Sequence, residues 1–286
     1  MNINIIEFLK SCMILQTPII FAALSSNISS KAGYFNIGIE GIMTLSAFFA
    51  AYFSHYFQNP YIALFIVILI AILQAYILAF LKCKWGLNSI LSGIAYNFFA
   101  FGLSSTLLYL TGNKGISTSF KTFKIPDWNF GILKINPMVL LAIISIFLIY
   151  LLNEKTVLGI RIKSVGYDEE FVKISGMDPD IYIYYALTIS SIMAAIGGAF
   201  MSLVYIPWFS RDMIAGRGFI GLAADAIGGG SALRAGLVSI LFGIIFGLSN
   251  LQPEISIKPE IFQMLPYLSV MVFFLIKKLI DELGKR

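Results

Sequence analysis

Residues 154–178 read EKTVLGIRIKSVGYDEEFVKISGMD, and this stretch decides how the rest of the chain is read. It holds Glu154, Lys155, Arg161, Lys163, Asp168, Glu169, Glu170, Lys173 and Asp178. On both sides charge disappears: residues 135–153 and 181–210 contain no Asp, Glu, Lys, Arg or His. Each flank is long enough to cross a hydrocarbon core of about 30 Å as a helix, which takes about 20 residues. A charged, helix-capable insert between two such spans has to lie outside the membrane, and its Lys and Arg content favours the cytoplasmic side. Turns of a few residues suffice to join two helices. An insert this rich in charge therefore has two readings: a solvated loop that only fixes topology, or a docking surface for a soluble partner.

Composition points the same way. The 286 residues are 58% hydrophobic and 12% charged, whereas a soluble domain is about a quarter charged. The chain is expected to be a polytopic membrane protein. Its net charge of +5 does not call for nucleic acid, because cytoplasmic Lys and Arg that orient membrane spans account for the excess. Cys12 and Cys83 are too few for a disulfide framework. The start, MNINIIEFLKSC, lacks a basic region followed by an apolar one, so no cleaved signal peptide is expected. No GxxxxGK[ST] motif is present, and the glycine-rich GGGSALRAG at 228–236 reads as a helix–helix turn. No His, Cys or Asp cluster has metal-ligand spacing, and no nucleophile–base arrangement can be inferred. The expectation is a chain that is not an enzyme and holds no cofactor or metal.

Taken in order, the apolar segments are 5–28 (interrupted by Pro18), 42–57, 61–81, 86–110, 136–152, 181–205, 218–227, 235–248 and 261–276. The expected fold is all-α and polytopic, with about nine transmembrane or half-membrane helices in one domain over 1–286. Residues 111–135 are polar, carry Lys114, Lys121, Lys124 and Lys134, and read as an external loop with room for short strands. Residues 154–180 form the cytoplasmic loop. Lys82 with Lys84, the insert, and the tail from Lys277 to Arg286 are the basic ends. An N-terminus outside and a cytoplasmic C-terminus satisfy all three. A re-entrant first segment with the N-terminus inside is the alternative.

Two stretches are broken by glycine: 33–41, within SSKAGYFNIGIEG, and 216–236. Paired interruptions in the two halves of a transporter mark the pathway; close helix packing through small residues explains them equally well. Glu40 and Asn36 stand at i,i+4 on one helical face. A carboxylate facing lipid is costly, so Glu40 faces protein, water or a partner chain, or serves as a helix N-terminal acid. Asn97 lies about eleven residues into the fourth span, or ~16 Å, near the midplane. There its amide either binds solute or bridges helices. Asn36, Glu40 and Asn97 are therefore the candidate pathway residues. Asp225 is expected at the cytoplasmic rim, solvated, and His55, isolated among aromatics, is structural.

Four blocks together resemble one family. NIGIEGIMTLSA at 36–47, GLNSILSGIAYNFFAFGL at 86–103, LGIRIKSVGYDEEFVKISGM at 158–177 and MIAGRGFIGLAADAIGG at 213–229 occur in the right order. They resemble permease subunits of bacterial ABC importers of the branched-chain amino acid/ribose class, in particular the nucleoside (simple-sugar-like) subgroup. The block at 86–103 looks more like the second of two permeases than the first.

The resemblance implies two different permease subunits, ABC ATPase subunits and a substrate-binding lipoprotein in the bacterial cytoplasmic (inner) membrane. It implies a passage for nucleosides, purine nucleosides foremost, with ATP and Mg bound by the partner ATPase. It places a coupling helix in the insert: Gly159, Arg161, Gly166 and Gly176 fall on matching positions. Glu169 belongs to the same segment, although Asp168 and Glu169 stand where Asn-Pro is usual. GGGSALR likewise departs from the usual Gly-x-Trp-x-Pro turn, and Asp225 replaces an apolar residue. A simple-sugar ABC permease is the alternative. An ion-coupled secondary transporter is another, but it wants acids or bases at the midplane, and only Glu40 and Asp225 are available.

Overall fold

The computed structural model describes residues 5–111, 122–130, 133–249 and 268–275. The first apolar run forms a single helix, α1 (Ile5–Lys31), with Pro18 inside it. The expected interruption at Pro18 does not break the helix. Proline removes one backbone donor and crowds the preceding turn, but α1 is held on several sides by other helices, α10, α8, α9 and α5. Small residues allow this close approach. Gly243 and Gly247 of α10 (Ala232–Ser249) lie against Gln16 and Cys12, and Gly221 of α9 (Arg217–Ile227) lies against Ala22. Burial of residues 15–29 follows.

After α1 come α2 (Ile39–Phe57), α3 (Pro60–Cys83) and α4 (Ser89–Leu110). Asn59 and Asn88 cap α3 and α4, each accepting from two backbone N–H groups with its side-chain oxygen. Inside this group Tyr96 donates to Gln74 at 2.7 Å, and Gln74 to Ser46 at 3.4 Å, tying α4, α3 and α2 together. The polar loop contains the expected short strands, β1 (Trp128–Phe130) and β2 (Leu133–Ile135), paired antiparallel with Asn129 opposite Lys134. Residues 112–121 of that loop lie outside the described residues. Asn136 donates to Ile125 O and to Asp127 Oδ1, both at 3.0 Å, and caps α5 (Pro137–Lys155), fixing the loop to the helix it introduces.

The insert folds as two short helices, α6 (Val157–Tyr167) and α7 (Glu169–Ile174), capped by Thr156 and Asp168. Then α8 (Pro179–Phe200) runs into a π-helical turn, Met201–Tyr205. Ile125 N donates to Leu203 O at 3.1 Å, so this turn sits at the hairpin end of the molecule. The opposite end, called here the insert side, holds α6, α7, the last turn of α1 and the α9–α10 turn.

Among the described residues six helices are long and apolar enough to cross a membrane: α1, α3, α4, α5, α8 with its π-turn, and α10. Their outward faces are apolar, as with Phe65, Leu69, Leu73 and Tyr76 on α3 and Ile144, Phe147 and Leu148 on α5, which suits hydrocarbon as solvent. The all-α, multi-pass architecture follows. The nine expected segments become these six, plus the largely buried α2 and the short α9, which at 11 residues reaches only ~16 Å. The last segment, 261–276, lies mostly outside the described residues.

Candidate functional site

The helices α2 and α9 begin without a side-chain cap of their own. Gly38 before α2 and Gly216 before α9 carry no side chain to accept from the free N–H groups of the first turn. Such groups need partners when buried. Both are supplied from elsewhere in the fold, and the suppliers are two residues selected from the sequence.

Asn97 of α4 serves α2. Its Oδ1 accepts from Gly41 N at 2.8 Å, and its Nδ2 donates to Ile37 O at 3.0 Å. It thus pairs one donor of the helix start and one carbonyl of the preceding link. Side-chain space is absent here: a Cβ on Gly41 would lie 2.8 Å from Asn97 Oδ1, and one on Gly93 the same distance from Gly38 N.

Glu40 serves α9. Its Oε1 accepts from Gly216 N at 2.8 Å and its Oε2 from Gly218 N at 2.8 Å. The carboxylate lies where the partial positive charge of the α9 N-terminus favours an anion. Gly216 has φ +76°, the left-handed conformation glycine adopts without strain. Between the two glycines Arg217 is buried, its guanidinium carbon 5.6 Å from the ring centres of both Tyr205 and Phe246. Its Nη1 donates to Met213 O and Ile214 O at 3.1 and 2.9 Å.

Asn36 is fully buried in the link between α1 and α2. Its Nδ2 donates to Ser190 Oγ of α8 at 3.3 Å, and Ser190 shares a 2.9 Å hydroxyl hydrogen bond with Ser25 of α1. Among the described residues Asn36 Oδ1 has no hydrogen-bond partner. The structure thus brings Asn36, Glu40 and Asn97 to one helix break. Glu40 and Asn97 are committed to backbone groups, and Asn36 keeps one open acceptor. The two glycine-broken stretches, far apart in sequence, meet at Glu40.

Asp225 corrects the expectation of a solvated rim residue. It is 4% exposed. Its Oδ1 accepts from Asn27 Nδ2 at 2.7 Å, and its Oδ2 from Ser26 at 2.9 Å and Ser30 at 3.5 Å. Asn27 Oδ1 in turn accepts from Asn153 Nδ2 of α5 at 2.8 Å. The cause is the tight α1–α9 contact at Gly221 and Ala22, which carries Asp225, one turn on, against the polar end of α1. Sequence reasoning missed this group. The available signal was the run Ser25, Ser26, Asn27, Ser29 and Ser30 closing an apolar helix.

The insert packs on the same break. Gly166 of α6 lies directly against Lys31 O and Gly33 N, and Gly159 against Leu152 O. Arg161 donates to the Tyr182 hydroxyl at 3.0 Å and lies over that ring. Glu169 pairs with Lys82 at 3.4 Å, joining α7 to the end of α3. Gly176, with φ +79°, follows α7 in open space. Tyr167, Phe171 and Ile174 are 90%, 62% and 80% exposed, an apolar face on a charged insert.

Among the described residues no three His, Cys, Asp or Glu side chains gather to hold a metal ion. A family model described as branched-chain amino acid transport system / permease component matches residues 8–275. The chain is 28% identical to the nucleoside ABC transporter permease protein NupC of Lactococcus lactis, over 94% of this chain and 92% of the relative. It is 26% identical to the guanosine ABC transporter permease protein NupQ of Bacillus subtilis, over 90% and 87%. It is 25% identical to the glucose ABC transporter permease protein TsgB13 of Haloferax volcanii, over 94% and 76%. No solved structure gives a significant match. These relatives are transport proteins and not enzymes, and the helices here form a multi-pass membrane protein. The chain belongs to the branched-chain amino acid transport system / permease component family.

Proposed function

We propose that this chain is the second of two permease subunits of an ABC importer that carries nucleosides, purine nucleosides foremost, across the bacterial cytoplasmic membrane. The observation that carries this reading is similarity along nearly the whole chain to relatives named as nucleoside and guanosine permeases. Energy comes from a separate ATPase subunit, which binds the ATP and Mg, and solute arrives from a substrate-binding lipoprotein. The insert faces the cytoplasm and the hairpin loop faces outside, an orientation supported by the basic ends at Lys82 with Lys84, the insert and the tail. The N-terminus is then outside and the C-terminus cytoplasmic.

Residues 154–180 act as the coupling loop. Tyr167, Phe171 and Ile174 offer the ATPase an apolar contact of the kind that anchors protein interfaces. Gly159 and Gly166 keep α6 pressed on α5 and on the α1–α2 break. Arg161 holds α6 to α8 through Tyr182, Glu169 holds α7 to α3 through Lys82, and Gly176 permits the turn into α8. A push on the insert therefore reaches the break that holds Asn36, Glu40 and Asn97. These three form the pathway: Asn36 offers its open amide oxygen to solute, while Glu40 and Asn97 set the positions of the two helix starts.

A sugar permease is the second reading, favoured by the likeness to the glucose permease. Uptake of radiolabelled guanosine, adenosine, uridine, ribose and glucose, in cells with and without this chain, tests both. Loss of nucleoside uptake alone is expected. Loss of sugar uptake with all nucleosides unaffected overturns the nucleoside assignment.

A further inference from the structure

We propose that a cavity of about 230 Å³, where α6 meets the end of α1, is a binding site for a phosphate-bearing anion. Its walls are Asn27, Ser30 and Lys31 of α1, Lys163 and Tyr167 of α6, and Gly230 of the α9–α10 turn. The inference rests on which hydrogen-bonding capacity is already used and which is spare.

The carboxylates and the Asn27 oxygen beside the cavity already accept. Asp225, behind the cavity wall, takes Asn27, Ser26 and Ser30. Asn27 Oδ1 takes Asn153 Nδ2. Glu154 takes Lys163 at 2.6 Å. The donors are not used. The Lys31 ammonium has three N–H groups and makes no hydrogen bond or ion pair among the described residues. Lys163 keeps the N–H groups that Glu154 does not take. The charges acting on Lys31 are Lys163, Arg234, Glu154 and Asp225. With Lys31 itself, three cations stand against two anions, and Arg234 donates to Gly229 O at 3.4 Å.

A site whose two wall lysines hold spare cationic donors selects an anionic ligand rich in acceptors. Lysine binds phosphate as a point charge, and an anion between Lys31 and Lys163 relieves the repulsion of two like charges lining one cavity. The volume exceeds the ~30 Å³ share of one water several-fold, so a phosphate group and part of what bears it fit. Two sources share this chemistry: an anionic lipid headgroup, as in basic pockets at the cytoplasmic membrane surface, and a soluble phosphate compound. The cavity adjoins the Gly33–Gly166 contact, so a bound anion ties the insert to the α1–α2 break. That consequence for transport rests on the coupling role proposed above; the binding does not.

The test is binding to the purified full-length chain, delipidated in neutral detergent, of two probes: inorganic phosphate and phosphatidylglycerol. The expected result is saturable 1:1 binding of at least one probe. Lys31→Gln weakens it about tenfold or more, the size of a lost charge-assisted hydrogen bond, and Lys31→Arg largely restores it. Lys10→Gln, at the hairpin end, leaves it unchanged. Phosphate binding without lipid binding supports a soluble ligand, and the converse supports a headgroup. If Lys31→Gln fails to elute as a folded species, Lys163→Gln takes its place. Absence of saturable binding by both probes, or wild-type binding by folded Lys31→Gln or, in its place, folded Lys163→Gln, overturns the proposal. Because the readout needs neither transport nor an ATPase, it fails or succeeds independently of the functional assignment.

Discussion

Glu40 and Gly218 lie 178 residues apart in the chain, yet Glu40 Oε2 accepts from Gly218 N at 2.8 Å. A Cβ on Gly218 would lie 2.9 Å from the backbone of Glu40, so the two segments touch main chain to main chain. Glu40 also accepts from Gly216, and one carboxylate thereby closes the start of α9 while standing in the first turn of α2. Two consequences are testable here. Glu40→Ala removes the cap and strands buried donors, and is expected to cost about 2–4 kcal/mol of stability. Gly218→Ala is expected to be at least as damaging, because the obstacle is backbone. Thermal unfolding of the purified variants checks both; unchanged midpoints would count against the cross-chain cap.

Asn97 is expected to be less tolerant of Leu than of Asp. Leucine leaves Gly41 N and Ile37 O unpaired, at about 1–3 kcal/mol for each buried group. Aspartate keeps the acceptor for Gly41. Asn97→Leu should lower solute uptake, whereas Asn97→Asp should retain part of it. An unchanged uptake rate in the leucine variant would remove Asn97 from the proposed pathway.

Asn36 should behave differently from both. Its Nδ2 contact with Ser190 is long, at 3.3 Å, and its Oδ1 has no hydrogen-bond partner among the described residues. Asn36→Ala is therefore expected to change stability by only about 1 kcal/mol while lowering uptake several-fold. Parallel measurements of unfolding and initial uptake rate separate the two effects. A large loss of stability with unaltered uptake per folded molecule would mean the residue only packs.

Arg161→Glu is expected to abolish uptake while solute still binds the external lipoprotein. The guanidinium donates to Tyr182 and lies over its ring, and a carboxylate can neither donate to the hydroxyl nor act as a cation over the ring. Phe171→Asp, on the exposed face, should instead weaken co-purification of the ATPase. Normal uptake by the Arg161 variant with the complex intact would remove that residue from the coupling path.

The sidedness of the membrane is open to single-cysteine labelling in a background lacking Cys12 and Cys83. With an impermeant reagent on intact cells, Trp128→Cys in the hairpin should react and Ser164→Cys in the insert should not. The reverse pattern would invert the topology and place the exposed face of Tyr167, Phe171 and Ile174 outside.

By itself the sequence determined that this is a helical membrane protein with one charged insert and two glycine-broken stretches. Apolar length and charge density are properties of a line, and residues 135–153, 154–178 and 181–210 display them without any partner. The same reading picked out Asn36, Glu40 and Asn97, because polar groups among apolar neighbours stand out one at a time. Only the tertiary structure decided what those groups do. Glu40 caps a helix 176 residues downstream, at Gly216, and Asn97 caps one that begins 58 residues before it, at Ile39. Nothing periodic encodes such pairings, since they depend on where two backbones cross. Pro18 and Asp225 show the same limit. A local rule breaks the helix at the first and solvates the second, but dense packing around α1 keeps the helix whole and encloses the carboxylate with Ser26, Asn27 and Ser30. Local propensity yields to tertiary contact when the surrounding helices leave the chain no other space.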